Sequence, residues 1–211
     1  MFLFWINYFL ICVIFYLIGS IPFAYIVIKK KYNINIVEAG SGNSGAMNAY
    51  DVTKSKLTGF LVFLLDFLKG LLPSLLLLYG LKFSMMINIA PLIFLVLGHN
   101  FSIWLKFKGG RGLSTSAGIY SAFNILFVFI WLIIYFISYL IKRNVHIGST
   151  IATVLLPVFP IIFRDELVVL NYNYTLNSGY MEFFIMFSCL ISLVILTKHI
   201  EPLIIYFKKT K

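Results

Sequence analysis

Charge is scarce in this sequence. Of 211 residues, 11% are Asp, Glu, Lys or Arg and 61% are hydrophobic, and the mean hydropathy is +0.98. A soluble globular domain carries about a quarter charged residues, so that class is excluded. Cysteine is also scarce. Cys12 and Cys189 both lie in apolar runs without metal-ligand spacing, which argues against a disulfide framework, and no metal or cofactor is expected. The G-x-x-x-x-G-K-[ST] spacing of a P-loop is absent. No internal repeat is visible, which counts against a transporter. No cleavable leader is evident: residues 2–28 are too long for the apolar core of a signal peptide and run straight into Lys29-Lys30-Lys31, so this stretch is expected to remain as the first helix.

Long apolar windows dominate the rest. Stretches of about 18 or more residues with few charges are long enough to cross a bilayer as helix. They predict spans near residues 2–28, 57–79, 85–105, 113–141, 149–163 and 180–197. The net charge of +10 is explained by the positive-inside rule rather than by nucleic acid. The 113–141 window is long for one helix. If it crosses twice, turning near Asn124, 14 of the 17 basic residues fall inside, with Lys82 and Arg164 outside and Lys69 in a span. A single crossing moves six of the 14 to the wrong side. The expected fold is therefore an all-α polytopic integral membrane protein with about seven transmembrane helices, N-terminus outside and C-terminus inside. It forms a single domain over residues 1–211.

Four segments carry polar chemistry. Gly40-Ser41-Gly42-Asn43-Ser44-Gly45-Ala46-Met47-Asn48 has the glycine spacing of a backbone anion nest, or of a plain flexible loop. Gly98-His99-Asn100-Phe101, followed by Lys106-Phe107-Lys108-Gly109-Gly110-Arg111-Gly112, places three cations and several glycines where a span meets water. That suits phosphate or a stop-transfer cluster. Asp66 and Lys69 sit three apart within an apolar helix, and charges there are functional by default or form a structural pair. Lys198-His199 follows the last span, where a histidine can act as general base or simply be interfacial.

Taken in order, these segments resemble the acyl-phosphate-dependent glycerol-3-phosphate acyltransferases of bacteria, the PlsY family. The match runs through Gly19-Ser20-Ile21-Pro22-Phe23, Gly40-Ser41-Gly42-Asn43-x-Gly45-Ala46-x-Asn48, Asp66-x-x-Lys69-Gly70, Gly98-His99-Asn100-Phe101 and Phe107-Lys108-Gly109-Gly110-Arg111-Gly112, with Arg143-x-Val145 and Ser149 in a weaker downstream pattern. The resemblance implies acyl transfer from an acyl-phosphate to glycerol 3-phosphate, giving lysophosphatidate, in the cell membrane with the site at the cytoplasmic face. The partners it implies are those substrates, membrane lipids and the enzyme that makes acyl-phosphate, with no nucleic acid.

The resemblance further implies catalytic roles for Ser41, Asn48 and His199. It implies substrate and phosphate binding by Gly40, Gly42, Asn43, Gly45, His99, Lys108, Gly109, Gly110, Arg111 and Gly112, and a structural charged pair in Asp66 and Lys69. The chain departs from the family at several points. Asp51 stands where the family has an essential Arg. Asn35-x-Val37 replaces Asp-x-Arg, Met47 replaces a Thr, Arg111 replaces a Lys, and Pro202 replaces an Asn. Lys54, or Lys56 close by, is expected to supply the missing positive charge. Two readings follow: an active enzyme with a rearranged cation set, or a catalytically impaired relative that binds lipid precursors or another protein.

Overall fold

The computed structural model describes residues 1–81, 85–163 and 180–209. Lys82, Arg164 and Lys211, used in the charge count, lie outside the described residues. The described residues form helices and connecting loops, with no strand among them. α1 covers Phe2–Ser20 and α2 covers Phe23–Tyr32, so the expected first span is broken at Ile21–Pro22. Proline lacks the amide needed to continue the ladder and holds the preceding residue extended; Ile21 has φ −56° and ψ 115°. α2 ends at Asn33, in left-handed backbone, with Lys29, Lys30 and Lys31 in its last turn, where cations complement the helix dipole.

The glycine loop that follows is shorter than the sequence suggests, because α3 already begins at Ala46 and runs Ala46–Thr53. α4, Lys56–Leu75, is capped by the Ser55 side chain accepting from the Thr58 amide. It contains Pro73 and loosens into wider turns over Leu76–Leu81. α5 is Ile89–Asn100, α6 Leu113–Phe123, α7 Leu126–Lys142 and α8 Val145–Leu155. A short α9, Phe159–Ile162, follows. α10, Tyr180–Thr197, meets α11, Ile200–Lys209, at a 53° bend.

Four helical segments are long and apolar enough to cross a membrane: Phe2–Tyr32, Lys56–Leu81, Met86–Leu105 and Val145–Ile162. The bent α10–α11 pair makes a fifth, and Leu126–Lys142 is a shorter apolar helix. The stretch from 113 to 142 leaves and returns to one end of the molecule, since Arg111 just before it contacts His146 just after it. The turn falls at Asn124, whose extended backbone stops α6 and whose side chain accepts from the Leu126 amide at 3.0 Å.

Apolar tails outside the bundle give little reason for apolar side chains to move inward, so close packing and hydrogen bonds hold the helices. α1 and α5 run side by side in one direction. The Tyr8 hydroxyl donates to the Ile87 carbonyl near one end and Tyr16 to Phe101 near the other. Between them a Cβ on Gly19 would overlap the Leu95 carbonyl, and one on Gly98 would overlap that of Tyr16, so only glycine permits this approach. Across α6, α7 and α10 the rings of Tyr120, Phe123, Phe127, Phe183, Phe184 and Phe187 pack, stacked or edge-to-face, at centroid separations of 4.6–5.5 Å. The large exposed side chains, such as Phe9, Ile133 and Leu193, face outward as a lipid-bathed surface requires.

Candidate active site

Several helix beginnings converge on one cavity of about 530 Å³. Gly45, Ala46 and Met47 of the α3 start, Lys56 of α4, Gly112, Leu113 and Ser114 of α6, and Val145 and His146 of α8 all line it. The first amides of a helix lack intrahelical partners and carry a partial positive charge, so such ends attract anions. α3 and α6 begin at Gly45 and Gly112 with no side-chain cap, and Gly112 takes φ +83°, a left-handed backbone that suits glycine. α8 is different: Asn144 caps it by accepting from the His146 and Ile147 amides. Two cationic side chains, Arg111 and Lys56, join these helix ends in the lining, which Asp66 also reaches.

His199 closes the same cavity from the turn after α10 and is 1% exposed. Its Nδ1 lies 3.0 Å from the Ile195 carbonyl. A carbonyl only accepts, so Nδ1 carries the proton and the neutral ring keeps a lone pair at Nε2. That Nε2 is buried without a hydrogen-bond partner among the described residues. In this tautomer Nε2 is the proton acceptor of the ring. Lys198, beside it, lies 4.3 Å from the Phe101 ring centroid, which ties the turn to the end of α5.

Behind the cavity the expected charged pair is present. Lys69 Nζ lies 2.8 Å from Asp66 and donates to the Ile21 carbonyl at 2.9 Å. The interruption between α1 and α2 thus supplies an acceptor for α4, and the Ser20 carbonyl, at the same break, accepts from Ser102 at 2.6 Å. His99 stands 3.6 Å from Asp66 and 3.2 Å from the Thr115 hydroxyl. Asp66 and His99 both reach the cavity wall.

The structure divides the residues singled out from the sequence. Asn43, Gly45, Asp66, His99, Arg111, Gly112 and His199 meet around the cavity. Ser41, Asn48, Gly40, Gly42, Lys54, Lys108, Gly109 and Gly110 are not among its lining residues. Asn48 is fully occupied within its own loop: its Oδ1 accepts from the Ser41 amide, and its Nδ2 donates to the Ile36, Ala39 and Asn43 carbonyls. It therefore organises the loop, and the Ser41 amide is not free for an anion. Gly110 packs against the His99 ring where a Cβ would collide, so its smallness answers to packing. Lys54 and Lys56 are both exposed, but Lys54 ends α3 in left-handed backbone outside the lining while Lys56 lines the cavity, so the nearby cation is Lys56. Asp51 is exposed and outside the lining. His146, Tyr50, Trp131 and Tyr135 line the cavity although sequence reasoning passes over them. For His146 a signal exists, since an Asn two residues earlier is a common helix N-cap.

A second, almost wholly apolar chamber of about 190 Å³ adjoins the first. Phe63, Leu113, Ser114 and Trp131 line both, and the chamber runs on to Ala117, Tyr120, Phe127 and Ile191. Ser192 donates to the Thr153 carbonyl at 2.8 Å and Trp131 to the Thr153 hydroxyl at 3.2 Å, which satisfies polar groups in the wall. A positive cavity opening into a greasy chamber suits a molecule with an anionic head and an apolar tail.

Residues 9–209 match the family described as glycerol-3-phosphate acyltransferase. The glycerol-3-phosphate acyltransferase of Pelagibacter ubique is 36% identical over 172 residues, 79% of this chain and 82% of its own. That of a Wolbachia strain from Brugia malayi is 40% identical over 151 residues, 70% and 78% of the two chains. Among solved structures, PlsY (YgiH), an integral membrane glycerol 3-phosphate acyltransferase, superposes in its glycerol 3-phosphate form with a TM-score of 0.78 at 27% identity. The superposition covers 96% of this chain and 93% of that one. The lysophosphatidic acid form gives 0.77.

Proposed function

Since this chain belongs to the glycerol-3-phosphate acyltransferase family and acts as such an enzyme in membrane phospholipid synthesis, we propose that its donor is an acyl-phosphate and that the two joined cavities are its active site. The observation that carries this is the sharing of Phe63, Leu113, Ser114 and Trp131 between the cationic cavity and the apolar chamber.

In this reading Arg111, Lys56 and the open amides at the start of α6 hold the phosphate of glycerol 3-phosphate. The acyl tail lies in the chamber. The acceptor hydroxyl faces His199 Nε2, which takes its proton as the oxygen attacks the acyl carbon. The new ester C–O bond forms, and the bond from the acyl carbon to the phosphate oxygen breaks with its electron pair leaving on phosphate. The proton passes from His199 to the released phosphate. An acyl-phosphate brings its own leaving group, so the protein mainly positions two anions and stabilises charge. The position of Lys56 favours an active enzyme over an impaired relative, since the cavity keeps a second cation despite Asp51.

We further propose that the site lies at the cytoplasmic face of the cell membrane, in a chain with about seven transmembrane helices and its N-terminus outside. The clustering of Lys29–Lys31, Lys56, Lys106, Lys108, Arg111 and the basic C-terminal residues supports this under the positive-inside rule. An enzyme that makes acyl-phosphate would deliver its product at this face.

The test is purified protein in liposomes, supplied with labelled glycerol 3-phosphate and either acyl-phosphate or acyl-CoA. Label is expected in lysophosphatidate with acyl-phosphate only. Product from acyl-CoA alone would reassign the donor, and none from either would remove the catalytic reading.

A further inference from the structure

The cavity holds a second histidine that the mechanism above does not use. His146 Nδ1 lies 3.2 Å from Arg111 Nη1. A guanidinium has donors and no acceptor, so His146 Nδ1 must accept, and the neutral ring then carries its proton on Nε2. His199 is the reverse case: a carbonyl at its Nδ1 leaves its Nε2 as the acceptor. Two rings lining one cavity are therefore held in opposite tautomers by the partner each finds at Nδ1. His146 is also fixed through its backbone, since its amide donates to the Asn144 side chain at 2.9 Å and Ser149, one turn on, donates to its carbonyl at 3.1 Å.

We propose that His146 is an anion-binding residue of this site, donating from Nε2–H to the phosphate of glycerol 3-phosphate alongside Arg111. The inference rests on the reading of the cavity as the glycerol 3-phosphate site. It divides the work between the two rings: His146 supplies a donor to the bound anion, and His199 supplies a lone pair to the reacting hydroxyl. The contact with Arg111 does two things at once. It selects the donor tautomer of His146, and it turns the guanidinium so that its remaining N–H groups face the same anion.

Three substitutions separate these roles. His146→Asn can keep an acceptor near the Nδ1 position for Arg111 but cannot reach as far as Nε2. His146→Gln can present an amide N–H near the Nε2 position. His146→Ala keeps neither. Binding of glycerol 3-phosphate to the purified protein is measured by calorimetry without any donor, beside KM and kcat. A hydrogen bond to a charged group is worth a change of about ten-fold or more in affinity. The expected result is an approximately ten-fold rise in Kd and KM for His146→Ala and His146→Asn with kcat little changed, and substantial recovery of affinity in His146→Gln. Wild-type affinity in His146→Ala, or in His146→Asn, would overturn the proposal. So would a folded His146→Gln that binds as weakly as His146→Asn. If His146→Ala does not fold, the Asn and Gln proteins decide. If the wild type binds glycerol 3-phosphate but makes no product from acyl-phosphate, the donor assignment fails while the binding comparison still tests His146.

Discussion

The Ser41 amide donates to Asn48 Oδ1 across 2.9 Å, and the other end of the same side chain donates to three backbone carbonyls. One buried amide thereby holds together the whole glycine loop that leads into α3. The start of α3, with its open amides at the cavity wall, depends on this arrangement rather than on the glycines alone.

Asn48→Ala is accordingly expected to destabilise the protein. It leaves the Ser41 amide without its acceptor and takes one of two hydrogen bonds from each of the Ile36, Ala39 and Asn43 carbonyls, which keep the amides of Ala39, Gly42 and Gly45, at about 1 kcal/mol for each bond lost. Lower thermal stability in detergent, together with faster proteolysis between residues 36 and 48, checks this. A folded Asn48→Ala with normal stability and a collapsed kcat would instead make Asn48 a direct participant in the chemistry.

Lys56 and Lys54 stand two residues apart and are expected to behave differently. Lys56→Ala removes a cation from the cavity wall and should raise KM for glycerol 3-phosphate several-fold, as should Arg111→Ala. Lys54→Ala removes an exposed side chain outside the lining and should change KM by less than about two-fold, in keeping with the small effect of surface charges. Steady-state kinetics of the three proteins on one acyl donor gives the comparison.

The chamber predicts a length filter. Ala117 lies in its wall, and Ala117→Phe would fill much of the space that the tail occupies. Competition between short-chain and long-chain acyl-phosphates should shift toward the short donor by about ten-fold, since each excluded methylene forfeits about 0.8 kcal/mol of apolar burial. An unchanged preference would move the tail out of this chamber.

Much of the fold is legible in the sequence because lipid imposes simple demands. Runs of apolar residues mark spans, and the structural pair, one of two readings open for Asp66 and Lys69, is the one that their 2.8 Å contact shows. The turn at Asn124 could be anticipated from charge placement alone. The site is less legible. Of the glycines, Gly45 and Gly112 line the cavity while Gly109 and Gly110 pack against His99 and Asn100, and a glycine needed for close packing looks the same in sequence as one needed for an anion. Lys54 and Lys56 are equivalent on paper, and only the left-handed turn at Lys54 separates them. The Asn144 cap marks the helix start beside His146, but its partner, Arg111, lies 35 residues away across two helices.

Phe63 and Leu132, in the wall of the apolar chamber, are 38% and 37% exposed. If that exposure opens the chamber to the bilayer, a tail lying there has a sideways exit that never meets water, and newly made lipid would be released into one monolayer before the other. The area of that monolayer would grow first, leaving an imbalance for lipid translocation to relieve. Sidedness-selective labelling of fresh product in sealed vesicles would detect this asymmetry, and equal early labelling of both monolayers would rule it out.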